Sequence, residues 1–335
     1  MISSFLKYYI SRLIYFFNDL SFLRLFFNKP MGDAIVLCYH RVMPDSFFSE
    51  HSPLNPLVVS VSNFESQMRY LSKNYNIISL DDLYKPITST KTPLVITFDD
   101  GYLDNLTNAL PILEKYNIPA TIYITTKFLK GDGRMWWYEL WDNIKKKSKI
   151  EFSYEGKVFN FNTNNYFQKL YCFKKLRKYI LSLNSNKINS FIDEFSENEI
   201  DYINICLNKT QVKYLSSHKL ITIGAHTINH PNLNSLTNNE MENEISESKY
   251  FLEKLLNIKV KHFAYPFGTI RECKQREHDA AKKIGFNTAA TTYLKPLFLE
   301  NKNKFSIPRI IVENFSNNSL RNHINGVGYF LSKFY

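Results

Sequence analysis

The stretch Pro93-Leu94-Val95-Ile96-Thr97-Phe98-Asp99-Asp100-Gly101-Tyr102 decides most of the reading. An apolar run of strand length, rich in β-branched residues, leads straight into two adjacent carboxylates and a glycine. Neighbouring residues at a strand's end can point in different directions, so one carboxylate can hold a metal while the other faces a substrate. In a parallel barrel that end of the strand is where active-site groups collect. Taken alone, the pair fits a turn opening the next helix equally well.

Outward from this stretch, short apolar runs alternate with longer periodic segments, the pattern of βα units and a mainly parallel sheet. Strands are expected at 34–39, 94–98, 120–125, 221–225, 261–265 and 307–312. Ser62-Asn63-Phe64-Glu65 reads as a capping box, followed by Phe64, Met68, Leu71 and Tyr75 at helical spacing. Thr237-Asn238-Asn239-Glu240 reads as a second, opening a helix with Met241, Ile245, Leu252 and Leu256. Further helices are expected over 104–116, where Asp104 would cap, and over 276–284. Residues 131–205 break the rhythm. They hold Trp136, Trp137 and Trp141 and exceed an ordinary βα connection, so an insertion with its own helices is expected. The fold class is therefore α/β, a distorted (β/α) barrel with a helical insertion.

Composition excludes several classes. Of 335 residues, 44% are hydrophobic and 22% charged, which suits a packed globular chain and not a disordered or fibrous one. The net charge of +11 is spread over scattered lysines, densest at Lys145-Lys146-Lys147, and no basic motif of a nucleic-acid-binding kind is present. A solvated basic surface fits better than a dedicated polyanion site, and no nucleic-acid partner is expected. Cys38, Cys172, Cys206 and Cys273 lie far apart and form no CxxC pair, so neither a disulfide framework nor a thiolate metal site is indicated. Cys38, within an apolar run, reads as a small core residue.

The first 28 residues are rich in Phe, Leu, Ile and Tyr, but Lys7, Arg12, Asp19 and Arg24 interrupt them. No uncharged apolar stretch of about 18 residues spans a bilayer, and neither a positive n-region nor a small-residue cleavage site marks a cleaved signal peptide. Residues 1–30 are expected to form an amphipathic aromatic-rich helix ahead of a main domain at 31–335. That helix either packs on the domain or lies on a membrane surface with its basic side chains at the headgroups. The expected location is cytoplasmic, or peripheral on the inner membrane face.

Two more strand ends carry chemistry. Ile221-Thr222-Ile223-Gly224-Ala225 leads into His226-Thr227-Ile228-Asn229-His230-Pro231, and on a helical turn the i, i+4 spacing lets both imidazoles face one ion. A lone histidine is more often a hydrogen-bonded core or loop residue. Two at this spacing, with a separate Asp pair, favour a metal, and an Asp plus two His leaves positions open for water and substrate. Phe263-Ala264-Tyr265-Pro266-Phe267-Gly268 is the third strand end, where a backbone N–H could be aimed at a developing oxyanion. Pro and Gly after a strand otherwise mark only a turn.

Together these segments resemble the polysaccharide deacetylase family, also called NodB-homology or carbohydrate esterase family 4. Thr97-Phe98-Asp99-Asp100-Gly101 matches its first motif, His226-Thr227 with His230-Pro231 its second, and Tyr265-Pro266-Phe267-Gly268 resembles a variant of its third. The resemblance covers about residues 34–312, and Leu37-Cys38-Tyr39-His40-Arg41 looks like the first strand of members that serve surface-polysaccharide assembly. It implies a NodB-type barrel and a hydrolase that removes N-acetyl groups from an amino-sugar-containing carbohydrate. O-acetyl esterase or deformylase-like chemistry and a carbohydrate-binding role without turnover are the alternatives.

Residue by residue, the resemblance implies that Asp100, His226 and His230 hold one divalent metal, usually zinc. Asp99 would be the general base, and the oxyanion would sit between the metal and the Phe267 N–H. The partner implied is an N-acetylated sugar or oligosaccharide. Where the family often places an arginine before the third motif, this chain has Ala264, and Arg309 is the candidate replacement. The family's late Leu-x-His has no clear match; His40 is the candidate general acid, and His323 is expected to be peripheral. Trp136, Trp137 and Trp141 could stack on sugar rings or anchor the insertion.

Overall fold

In the computed structural model, residues 27–49, 52–183, 185–196, 205–300 and 303–333 are described. The expected N-terminal helix, with its candidate membrane contact, lies outside them except for its last residues. In chain order the first part holds strands β1 (Ile35–Tyr39), β2 (Arg41–Met43) and β3 (Val58–Ser60), helix α1 (Val61–Asn74), and strands β4 (Asn76–Ile77) and β5 (Pro93–Phe98). Helix α2 (Leu110–Tyr116) and strand β6 (Ala120–Ile124) follow. Next come helix α3 (Trp136–Lys146), strands β7 (Lys149–Tyr154) and β8 (Lys157–Asn162), and helices α4 (Tyr166–Ile180), α5 (Ser185–Asp193) and α6 (Lys209–Ser217). The last part holds β9 (Ile221–Ala225), α7 (Asn238–Leu256), β10 (His262–Ala264), α8 (Gln275–Lys283), β11 (Thr288–Ala290), β12 (Ile310–Ile311), α9 (Asn317–Ile324) and α10 (Val327–Ser332).

Seven of these strands lie side by side in the order β11-β10-β9-β6-β5-β1-β12, with β4 pairing alongside β5, and all the pairings are parallel. Residues 307–311 join the two edges: Ile307 bridges to Ala290 while Ile310 pairs with Leu37. The sheet is thereby curled into the distorted barrel expected. Every residue of β1, β5 and β6 is buried, as strands covered by helices outside and side chains inside must be. Parallel pairing has one consequence for function: the C-terminal ends of β1, β5, β9 and β10 share a rim. At Gly224 a Cβ would meet the Tyr123 ring at 2.4 Å, so only glycine lets β9 lie this close to the ring beside His226.

Local signals were followed unevenly. Thr237 and Glu240 form the reciprocal capping box expected, side chain to backbone in both directions. At α1 the cap is Ser60 rather than Ser62: its hydroxyl accepts from the Asn63 N–H at 3.2 Å, and Glu65 is left free to pair with Lys115. Asp104 caps nothing. Its carboxylate accepts from the Val42 N–H at 2.7 Å and Arg41 Nε at 2.9 Å, and the helix begins as a π turn at 105–109. Strands β4 and β11 are too short to have shown a period. Among the described residues no helix is long and apolar enough to cross a membrane.

Between β6 and α6 the chain builds a second aromatic core of its own, around Trp137, Trp141, Phe152, Phe159, Phe173 and Phe191. Besides its helices this segment carries an antiparallel β7–β8 hairpin that the sequence reading lacked. The three tryptophans are each under a tenth exposed, so they anchor the segment and leave no open stacking platform. On its return the chain pairs with the first motif: Leu103 N–H bonds to Ile205 O at 2.8 Å and Leu207 N–H to Gly101 O at 2.9 Å. The Asp99-Asp100-Gly101 turn is clamped from outside by this pairing.

Candidate active site

Strand β5 continues one residue past its end, with Asp99 N–H bonded to Tyr39 O at 3.0 Å. Asp100 then takes φ 72° and parts from it. Thr227, His230 and Phe267 have φ of 68°, 57° and 60°, so each of the three motifs contains a non-glycine residue in the left-handed region. Each such residue costs about 1–2 kcal/mol and persists only where its surroundings over-determine it.

The two histidines are not on a helical turn. His226 extends β9, its N–H bonded to Ile124 O at 2.9 Å, and the loop after it folds through two left-handed residues. Glu244 on α7 shapes that loop: its Oε2 accepts from the Ile228 N–H at 2.9 Å and the Asn229 N–H at 3.0 Å, and its Oε1 from Asn229 Nδ2 at 2.5 Å. Thr227 Oγ1 accepts from the His230 N–H at 3.1 Å. A carboxylate able to satisfy several backbone donors is what displaces the helical alternative.

Asp100, His226 and His230 come together, with ligand atoms within 4.8 Å of one another and all three residues buried. Asp100 Oδ1 lies 3.5 Å from His226 Nε2 and 3.3 Å from His230 Nε2. His226 Nδ1 faces Ala264 O at 2.7 Å, and a carbonyl only accepts, so the proton sits on Nδ1 and Nε2 presents its lone pair. Burial pushes the pKa of both histidines down, keeping them neutral. Burial and then repulsion from Asp99 push Asp100 up to about 8. Asp100 Oδ1 is a buried acceptor without a donor. Converging acceptors of this kind are satisfied by a cation, and two imidazoles with one carboxylate are a donor set that could hold one divalent ion with positions left open.

Asp99 faces the other way. Arg309, fully buried, forks onto it: Nη1 to Oδ1 and Nη2 to Oδ2, both at 2.7 Å. The guanidinium is fixed by Thr97 Oγ1 at 3.1 Å and Thr291 O at 3.1 Å. Burial would raise the Asp99 carboxyl, but the Arg309 charge overrides it and holds Asp99 well below the usual carboxylate range. Cys38 is not merely a core residue, since its thiol points at Asp99 Oδ2 from 3.3 Å. His40, at the end of β1, joins the same group: one ligand atom each from Cys38, His40 and Asp99 lie within 4.8 Å of one another. Burial lowers the His40 pKa to about 4, and its Nδ1 has no protein partner.

Phe267 centres a tight turn in which Gly268 N–H reaches Pro266 O at 2.6 Å, and Thr292 Oγ1 donates to Phe267 O at 2.6 Å. Its ring stands 4.8 Å from the His230 ring, and Trp137 approaches His230 from another side at 5.2 Å. His323 is peripheral: it stacks on Phe315 at 4.2 Å and binds Ser319 O. Sequence reading missed Glu244 and Thr291, and gave Thr97 no role beyond its place in the first motif. The one signal for Glu244 was an acid beside Ile245 on the apolar face of a helix.

The sequence profile described as polysaccharide deacetylase matches residues 87–152 and 176–289. The Bacillus subtilis (strain 168) protein YxkH is 24% identical over 262 residues, 77% of this chain and 63% of its own length. A poly-β-1,6-N-acetyl-D-glucosamine N-deacetylase of Staphylococcus epidermidis is 24% identical over 294 residues, 84% of this chain and 80% of that one. The solved structure of the Streptococcus pyogenes deacetylase PplD in complex with acetate shares the fold, with a TM-score of 0.58 at 19% identity over 88% of this chain and 99% of that one. The chain thus spans less than two thirds of the Bacillus relative, while the family profile covers more than half of the chain. On that match, which takes in the three strand ends that form the site, this chain belongs to the polysaccharide deacetylase family.

Proposed function

We propose that this protein is a metal-dependent hydrolase that removes N-acetyl groups from an amino-sugar-containing carbohydrate, in the building of a surface polysaccharide. The observation that carries this reading is the buried convergence of Asp100 Oδ1, His226 Nε2 and His230 Nε2 beside an ionised Asp99. Residues 31–335 form the NodB-homology domain in this reading, with 131–205 as its insertion. The naming of a Staphylococcus epidermidis relative as an N-deacetylase supports the substrate class.

Asp100, His226 and His230 would hold one divalent ion, and a nitrogen-rich donor set favours zinc. When bound, such an ion supplies Lewis-acid polarisation of the amide carbonyl and lowers the pKa of water. Asp99 takes the proton of the attacking water. Arg309 orients Asp99 and keeps it ionised at the price of some basicity. The Phe267 N–H donates to the oxygen that gains charge as the carbonyl carbon becomes tetrahedral. His40, neutral at pH 7, passes the proton on to the amine nitrogen as the C–N bond breaks, so that acetate and a free amino sugar leave.

Acetate release from N-acetylated oligosaccharides and sugar nucleotides, by zinc-reconstituted protein, tests the reading. Release is expected from the wild type and not from Asp99→Asn. Folded, metal-loaded protein that releases no acyl group from N-acetyl, N-formyl or O-acetyl saccharides would overturn it in favour of a binding protein.

A further inference from the structure

Arg177 lies in the last turn of α4, a helix of the insertion. The helix end is pinned to the loop after His230: Asn232 Nδ2 donates to Leu181 O at 2.7 Å, and Ser235 Oγ to Leu183 O at 3.1 Å. This docking sets the Arg177 guanidinium over the Phe267 ring, 5.7 Å from its centroid, and that ring is itself 4.8 Å from His230.

Four other partly or fully buried arginines, Arg41, Arg134, Arg276 and Arg309, each hold a carboxylate, and Arg177 does not. Among the described residues Arg177 forms no ion pair, and its guanidinium donates to no protein acceptor. Glu272 is the acid it senses, but Glu272 is taken by the Thr269 hydroxyl. Half-burial of an unpaired cation is costly, and burial lowers the Arg177 pKa accordingly. A helix C-terminus favours a cation, but the exposed Lys178 in the same turn meets that preference without desolvation. A planar fork of donors set over an aromatic ring and left without a counter-ion is an arrangement that can receive an oxyanion two-pronged.

We propose that Arg177 is a substrate-recognition residue, receiving an anionic oxygen group (phosphate or carboxylate) carried by the saccharide beside the N-acetyl group that is cleaved. The proposal rests on the deacetylase reading of the site, and it sets this chain apart from an enzyme adapted to a neutral poly-N-acetylglucosamine. The chain's net charge of +11 adds a general attraction for an acidic substrate.

Three probes decide it: a neutral N-acetylglucosamine tetrasaccharide, a tetrasaccharide alternating N-acetylglucosamine with glucuronic acid, and UDP-N-acetylglucosamine. At least one anionic probe is expected to exceed the neutral one in kcat/KM, and the stronger of the two identifies carboxylate or phosphate as the group read. In Arg177→Gln the anionic-to-neutral ratio falls about tenfold to a hundredfold, the worth of a charge-assisted bidentate contact, and Arg177→Lys retains part of it. A wild type that prefers the neutral probe, or a ratio unchanged in Arg177→Gln, overturns the proposal. Calorimetry on metal-stripped protein separates the two readings. Anionic probes that bind the wild type and not Arg177→Gln support the anion site even where no acetate is released. Release of acetate without such a difference leaves the deacetylase reading standing and removes the anion site.

Discussion

Replacing Arg309 by methionine is the perturbation with the sharpest consequences. The side chain is fully buried and makes four hydrogen bonds, two to Asp99 and one each to Thr97 and Thr291. Without it Asp99 is a buried carboxylate whose remaining side-chain donor is the weak Cys38 thiol. Removing one partner of a buried pair costs about 3–5 kcal/mol, because the other charge is left uncompensated. Asp99→Asn strands the guanidinium and should cost a similar amount. The double variant Asp99→Asn/Arg309→Met strands neither charge, so it should lie within about 2 kcal/mol of wild type, since apolar replacements of buried pairs are often nearly neutral. Urea unfolding in the presence of chelator measures all four proteins without a contribution from metal binding. Activity adds an independent readout: with its counter-ion gone, burial raises the Asp99 carboxyl, and the kcat/KM of Arg309→Met should rise with pH over a range where the wild type is flat. Strictly additive single costs, or single variants within about 1 kcal/mol of wild type, would refute the claim that the pair acts as one unit.

Other expected outcomes separate the groups of the site. Asp99→Asn should keep its metal and lose turnover, whereas His226→Ala should lose the metal itself; metal analysis after dialysis reads both. Glu244→Ala removes three hydrogen bonds that shape the loop between the histidines, so zinc affinity should fall about tenfold to a hundredfold in a competition titration. In metal-stripped protein Asp100 has a folded pKa of about 8, above its unfolded value, so the native state binds the extra proton between the two. Stability from this residue therefore falls as pH rises toward 8. The lowered histidines act in the opposite sense but are spent by about pH 6.5, their unfolded value. Between pH 6.5 and 8 the metal-stripped wild type should lose stability relative to metal-stripped Asp100→Asn, and zinc should abolish the difference.

The grouping of Asp100, His226 and His230 was legible because its members are close in sequence and each follows an apolar run of strand length. Asp99 and Asp100 are adjacent, and His226 and His230 share one loop, so proximity along the chain pointed to the group although the helical turn read from the spacing did not form. Arg309 was named as the candidate for the arginine missing at Ala264, but nothing local in the sequence placed it beside Asp99. Which late arginine fills that gap depends on residues 307–311 closing the barrel beside β1, a tertiary fact with no local signature. The β7 hairpin strand was readable in principle: Lys149, Glu151 and Ser153 alternate with buried Ile150, Phe152 and Tyr154. Aromatic density and lysine runs on either side hid the period of two. Ser60 and Ser62 stand two residues apart before the same helix, and either could cap it; tertiary position chose Ser60, whose N–H bonds to the distant Asn314 side chain.

The loops of the rim explain why so much of the site's support lies outside the motifs. Asp100, Thr227, His230 and Phe267 all hold left-handed backbone, which Asp and His tolerate better than most residues and the β-branched Thr227 and the bulky Phe267 do not. Each turn is held by contacts beyond its own backbone, most of them supplied from elsewhere in the chain. The returning residues 205–207 pin the first turn, Glu244 and the Thr227 hydroxyl pin the second, and Thr292 pins the third. Those contacts do not add ligands; they remove alternative loop conformations in which the ligand atoms would scatter. A change at one of them should therefore weaken metal binding more than it weakens the fold, whereas a change at Arg309 should do the reverse. The two classes of residue surround the same few ångströms of space, and the split between metal affinity and unfolding free energy is what tells them apart.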